Sequence, residues 1–571
     1  MRTRLLLILI TISLLPCLGQ QTAFVNDVNY RLDAIHLTAE VTATPGLAGE
    51  VVIPETIRVG NDTYTVTEIG DKAFKGCKRL TGVVLPTTLT RIYRSAFDGT
   101  AIVLDKNNWE EGLLIIDSCL IATNKLIKPR WKMPEGLRLV ACGAFENNKT
   151  IVRVDWSADM PRIDHDMFRG CKSLERLVIP ETVNWIGQDI LTGSGIYTND
   201  KKWRRGALVI DGCLISVKED APAKFEFKGK VPIRLIAGGA FRNNKTIQKL
   251  SLPEGITSIA DATFYRCEEL QEVTIPASVR TIGHFAFYEC GKLKHATLPD
   301  SVDEIGARAF YGCTNLLSQH IGPQVKAIPV GCFFTCRSLR LLPLPEGLER
   351  IEDGAMAGCA NLEKIVFPES LTYIGEQAFA GCVKLVEVSL PDGINEIKKG
   401  CFAECRQLYR VHLPAALYAV GDEAFKTCLA LDKITIPDKT FRIGQSAFAD
   451  CQQLQRLALP EQVHVIEAGA FRNCKILLEM HLPEQLEVLG EGAFEHCLNM
   501  RKLTFGPKLK KIPARAFKEC KSIEEIDLPA KLTEIGDEAF LDCVRLRKAF
   551  IPADATIGKN AFKNTKMMLT K

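Results

Sequence analysis

The chain has 571 residues, with 72 Lys and Arg against 68 Asp and Glu, a formal charge of +4. Hydrophobic residues make up 46% and charged residues 25%, a globular balance that excludes a disordered or collagen-like chain. The near-neutral charge argues against a general nucleic-acid binder, which carries a basic excess. The 21 Cys are too sparse for a disulfide scaffold, yet numerous for an exported protein.

The N-terminus reads as an address. Arg2 and Arg4 precede an uncharged apolar run over 5–15, and Cys17, Leu18 and Gly19 supply small residues for a cleavage site. This layout predicts a signal peptide over 1–19. The run is too short for a permanent span, which needs about 20 residues. A lipoprotein signal acylated at Cys17 is the alternative, which Pro16 fits poorly. The expected location is extracellular or at the cell surface, with the periplasm open. Residues 20–66 are rich in Val, Thr and Ile, with turns at Thr44-Pro45-Gly46 and Gly60-Asn61-Asp62. They read as a β-rich N-terminal cap over the first coil.

Residues 67–571 are dominated by one period. Steps of 23 from Phe241 meet Phe264, Phe287, Phe310, Phe333, Met356, Phe379, Phe402 and so on to Phe540. Cys follows three residues later at every step except Asn244, and an aliphatic residue or Met six later. The unit is I-G-x-x-A-F-x-x-C-x-x-L-x-x-V-x-L-P. Its V-x-L-P end alternates with period two, as a short half-buried strand closed by Pro. The A-F-x-x-C-x-x-L segment has the spacing of a helical or 3₁₀ turn. The reading is an α/β repeat solenoid, a right-handed leucine-rich-repeat coil whose stacked units share one continuous core. Two intervals are longer, 48 residues between Phe97 and Phe145 and 50 between Leu191 and Phe241. Residues 109–121 and 203–215 resemble each other, so 100–143 and 194–239 read as enlarged coils with an extra hairpin.

The signature, as in residues 305–323 and 374–391, resembles the BspA-like, treponemal-type leucine-rich repeats over about 66–566. That resemblance implies an exported or surface-exposed bacterial protein, some of whose relatives bind host matrix proteins or other bacteria. The repeat-position cysteines read as a column of buried thiols acting as small hydrophobes. The nine His are scattered, and no nucleophile elbow, P-loop or zinc motif occurs. No enzyme, cofactor or metal is expected.

What remains for function is the outward strand face. Lys364, Arg410, Lys433, Arg456 and Lys502 share the column four residues before the Pro site, and Arg410, Lys433 and Arg456 are consecutive like charges. Tyr409 and His412 lie beside them. These seven residues form the candidate ligand-binding face. The expected function is a non-enzymatic, adhesin-like scaffold that binds an extracellular protein or glycan, as a monomer without a membrane span. A glycan-capturing accessory protein and a purely structural envelope protein are the alternatives.

Overall fold

The computed structural model describes residues 22–33, 37–227 and 232–567. The expected signal peptide, with Cys17, lies outside the described residues. Each repeat contributes two short parallel strands to two ladders that run along the chain. The first carries the V-x-L pattern, as in Glu272–Thr274 on Lys249–Ser251, with Val273 buried and its neighbours turned outward. The second is only two residues long, as in Thr281–Ile282, and ends in the buried aliphatic residue five before the column Phe. Strands of adjacent coils pair residue for residue at a sequence distance of 23, as Arg410 does with Lys433.

The A-F-x-x-C segment corrects the expected helical turn. The residues two before and two after the Phe hold left-handed φ, as at Ala262 (53°) and Arg266 (55°). Alternate N–H groups then point different ways. Those of Ala262, Phe264 and Arg266 donate to the next coil's carbonyls at 2.7–2.8 Å, whereas those of Thr263, Tyr265 and Cys267 close three-residue turns within their own coil. A 3₁₀ helix would keep every bond inside the coil. The result is a third inter-coil ladder made of turns, with the same 3-and-3 spacing as a helix. The expected α/β class therefore becomes a β-solenoid of about 22 turns. Among the described residues, helical geometry is confined to short pieces such as Ala101–Leu104 and Gly195–Thr198, inside the enlarged coils, and the turn Arg94–Phe97.

The core is built from the repeated Phe, whose rings stack coil on coil, Phe264 on Phe287 at 5.0 Å and Phe425 on Phe448 at 5.4 Å. Such offset stacks add to the burial of large apolar rings. Every described cysteine is a buried free thiol. Column thiols donate to a carbonyl of the preceding coil, as a rule that of the column Phe, as Cys290 to Phe264 at 2.9 Å and Cys405 to Phe379 at 3.2 Å, with Cys382 on Met356 and Cys77 on Thr44 as exceptions. Burial pushes the Cys382 thiol up to about 12 and also raises those of Cys267, Cys313, Cys336, Cys359, Cys405, Cys428, Cys451, Cys474, Cys497 and Cys543, so they stay protonated and keep this bond.

Each enlarged coil holds an antiparallel meander. In the first, Trp109–Glu110, Leu113–Ile116 and Cys119–Thr123 run back and forth before Leu139–Val140 resumes the parallel order. Trp203–Arg204, Ala207–Ile210 and Cys213–Val217 repeat this plan before Leu235–Ile236. The last meander strands are partitions. Cys119 and Ile121 pack into one core and Leu120 into the next; Cys213 and Ile215 face one core and Leu214 and Val217 another. The period-two alternation of a strand places Cys119, Leu120 and Ile121, and likewise Cys213, Leu214 and Ile215, in this order; Val217, at the strand end, departs from it. Three successive cores result.

At the N-terminal side the ladders already begin inside 20–66. Thr38–Val41 pairs in parallel with Asp62–Ile69, and Ala48–Val52 with Arg79–Val84. The hairpin of Thr22–Val25 and Val28–Asp33 adds two antiparallel strands to Thr38–Val41 and buries Val28 and Tyr30.

Candidate binding face

In the column of outward residues four before the Pro site, some neighbours of opposite charge neutralise one another. Lys249 meets Glu272 at 2.9 Å, and Lys548 lies 3.9 Å from Glu525. A second exposed column, seven residues before the column Phe, behaves alike: Arg280 pairs with Asp303 at 3.6 Å and Lys326 with Glu349 at 3.4 Å. Opposite charges on adjacent strands relieve one another in this way.

Both columns carry an unusual run in the same three coils. In the first, Arg410, Lys433 and Arg456 follow one another and are all exposed. Glu387, one coil earlier, lies 3.6 Å from Arg410 and 3.2 Å from His412, and Asp432 lies 3.6 Å from Lys433. Arg456 has no ion pair among the described residues. In the second column the same coils carry Tyr418, Phe441 and His464. The N–H of Phe441 donates to the Tyr418 carbonyl at 2.8 Å, and that of His464 to Phe441 at 2.9 Å, so the three stand in consecutive layers. Tyr418 and Phe441 are exposed. Phe441 stacks on the His464 ring at 4.6 Å, and the Tyr418 hydroxyl donates to Glu396 at 3.0 Å.

Of the seven residues expected on the face, the structure brings four together. Arg410, His412, Lys433 and Arg456 line one open depression of about 440 Å³, with Asp432, Thr435 and Gln455. Tyr409 stands outside it, with its ring 6.0 Å from the Arg410 guanidinium. Lys364 and Lys502 are exposed two coils before and two coils after it and do not contribute to its wall. His320, His412 and His481 stay apart, held by Asp300 at 2.7 Å, Glu387 at 3.2 Å and Thr504 at 2.8 Å. Among the described residues no cluster of three or more His, Cys, Asp or Glu side chains could hold a metal ion.

Sequence reasoning missed the aromatic column, although Tyr418, Phe441 and His464 recur at one repeat position and that recurrence is a readable signal. It also missed a row on the turn side. Tyr265, Tyr288, Tyr311 and Phe334 stack at 4.7–4.9 Å, directly after the column Phe. Their faces cover one another, so the row presents ring edges, and burial pushes the Tyr288 hydroxyl up to about 12.

The family described as BspA type leucine rich repeat region matches in six copies, over 61–130, 129–199, 234–346, 326–455 and 442–568. Comparison with curated proteins finds no match. Among solved structures, a leucine-rich repeat protein from Bacteroides ovatus is 20% identical, over 95% of this chain and 91% of that one, with a TM-score of 0.35. A leucine rich cell surface protein from Faecalibacterium prausnitzii is 21% identical, over 77% and 94%, with a TM-score of 0.30. The T. pallidum leucine rich repeat protein is 29% identical, over 32% and 77%, with a TM-score of 0.25. The assignment rests on the family match, whose repeats carry the Phe, Cys and strand positions described above: the chain belongs to the BspA type leucine-rich-repeat proteins.

Proposed function

We propose that the protein is an exported, non-enzymatic binding scaffold of the adhesin type, which engages an extracellular partner across the coils of Arg410, Lys433 and Arg456. One observation carries this reading. Two columns that carry opposite-charge pairs in other coils change together in these three, one to consecutive cations and the other to the aromatic rings of Tyr418, Phe441 and His464. Glu387 and Asp432 offset part of the repulsion at Arg410 and Lys433, whereas Arg456 has no ion pair among the described residues, so an anionic group of a ligand would complete the counter-charge. The partner is therefore acidic at its contact with the depression. No helix among the described residues is long and apolar enough to cross a membrane. A second reading, glycan capture, is favoured by Tyr418 and Phe441, because exposed aromatic side chains suit sugar rings as well as protein side chains.

The test is a reversed-charge chain, R410E/K433E/R456E, applied to immobilised matrix proteins and acidic polysaccharides. All three side chains are exposed, so the fold and its melting temperature are expected to hold. Binding to the partner that the parent retains is expected to fall at least tenfold. Unchanged binding removes the depression from the interface. An F441A chain that loses only polysaccharide binding assigns the second reading. Protease treatment of intact cells tests export, since a chain on the surface is cleaved and one behind an outer membrane is spared.

A further inference from the structure

The hairpin at the N-terminal side covers only half of the first coil. Thr22–Val25 and Val28–Asp33 stack on Thr38–Val41 and seal that ladder. The other ladder starts at Ala48–Val52, which pairs with Arg79–Val84 on one side and has no partner on the other among the described residues. Elsewhere the inward residue of this strand is buried, as at Val273 and Val388, whereas Val51, which pairs with the buried Val83, is only half-buried; the outward Val52 is 64% exposed. A free edge carries unpaired N–H and C=O groups, and proteins cover or blunt such edges because they template pairing.

This edge is shaped. The hairpin turn at Asn26–Asp27 and the turn at Thr44–Leu47 rise beside it and enclose a groove of about 830 Å³. Phe24, 66% exposed, and Val52 give it apolar flanks. Its only charged lining residues are Asp27 and Glu50, which have no ion pair among the described residues.

We infer that the groove is a docking site for an extended peptide segment of a partner protein, which adds as a strand to Ala48–Val52 and carries Lys or Arg among alternating apolar residues. Main-chain pairing supplies affinity, and alternate side chains read the flanks, as in other strand-addition sites. The basic requirement follows from Asp27 and Glu50, since the groove offers no cation of its own. A second copy of the solenoid does not seat here. The hairpin stands two strands, about 9.6 Å at 4.8 Å per strand, above the Thr38–Val41 layer and holds a second coil off the edge. A single extended segment passes beneath it. The inference is independent of the depression around Arg410, which lies many coils away.

The probe is the synthetic peptide Lys-Val-Thr-Val-Lys-Val, titrated against the full chain by fluorescence anisotropy. Its counterpart with Glu at both Lys positions is the control. The basic peptide is expected to bind saturably and at least tenfold tighter than the acidic one. E50K is expected to narrow that preference, and V52K to weaken both peptides, with melting temperatures unchanged because both side chains are exposed. Equal binding of the two peptides, or binding that V52K leaves intact, overturns the site. Sedimentation of the parent chain as a concentration-dependent oligomer that V52K disperses overturns the partner and assigns the edge to a second copy.

Discussion

Asn244 stands where every other coil from Phe264 to Phe540 places Cys, and its bonds explain the exception. The carboxamide oxygen accepts from the N–H of Thr246 at 3.2 Å and Ile247 at 2.8 Å, while its nitrogen donates to the Lys218 carbonyl at 2.9 Å. Asn148 does the same after the first enlarged coil, with Thr150, Ile151 and Asn124. Behind both residues the preceding coil is a meander, and the acceptor on offer is a strand-end carbonyl instead of a column Phe. A thiol donates one weak bond and accepts poorly. The repeat consensus is therefore the wrong residue here. Asn244→Cys is expected to leave the buried Ile247 N–H unpaired and to cost about 1–3 kcal/mol, as an orphaned buried donor does. Chemical denaturation checks it, and an Asn244→Cys chain as stable as the parent refutes this account of the motif. The Phe and Cys columns were readable because burial imposes one residue type at each step of 23. The Asn exceptions were visible as letters, and their reason was not, because Lys218 and Asn124 reach them only through the folded meander.

At the scale of the element, the two meanders are held by the same clamp. The Asp117 carboxylate accepts the Leu85 N–H at 2.7 Å, and Asp211 accepts that of Ile179 at 2.9 Å. Arg138 then donates to the carbonyl of Asp117 at 2.9 Å and reaches Thr87 at 3.4 Å. Arg234 donates to Asp211, Pro180, Glu181 and Val183, the last at 2.6 Å. Each clamp ties the meander turn to the end of the last V-x-L strand before it, Arg79–Val84 or Arg176–Val178, where that ladder stops and its carbonyls would otherwise lack partners. Charged groups on backbone partners make the stronger class of hydrogen bond. Arg234→Ala is expected to cost about 1.5–3 kcal/mol, more than the same change at Arg138, whose bonds are fewer and longer. Hydrogen exchange reads it locally: amides of Ala207–Ile210 and Cys213–Val217 lose protection first, and protection that is lost only globally removes the clamp from this role. The sequence similarity of 109–121 and 203–215 pointed to a duplicated elaboration. It did not reveal the clamp, because Arg138 and Arg234 lie about twenty residues beyond those segments.

Across the whole molecule, stability follows from how the core is divided. In a stack of repeats, each coil is held by its own folding and by the interfaces to its two neighbours, so cooperativity extends only as far as those interfaces stay strong. Here the partitions at Cys119–Thr123 and Cys213–Val217 send alternate side chains to opposite cores and leave three clusters, over 28–141, 120–237 and 207–562. The third has the longest run of Phe layers, stacked at 5.0–5.7 Å and broken in the middle by Met356. The first two are short, and their rings meet at larger tilts, 53° for Phe74 with Phe97 and 39° for Phe145 with Phe168. Each has fewer inter-coil interfaces over which to spread the entropy of ordering its chain. Unfolding is therefore expected in more than one step, with 28–237 opening before 240–562. Hydrogen exchange read by mass spectrometry across a urea series resolves the segments, and the C-terminal block is expected to keep its protection past the first midpoint. One midpoint shared by all three segments would show that the partition strands transmit folding, and the division of the core would then be geometric only. The period foretold a single elongated body, since every coil obeys it. Its division was hidden, because strands that serve two cores read in sequence as the same alternating apolar runs as strands that serve one.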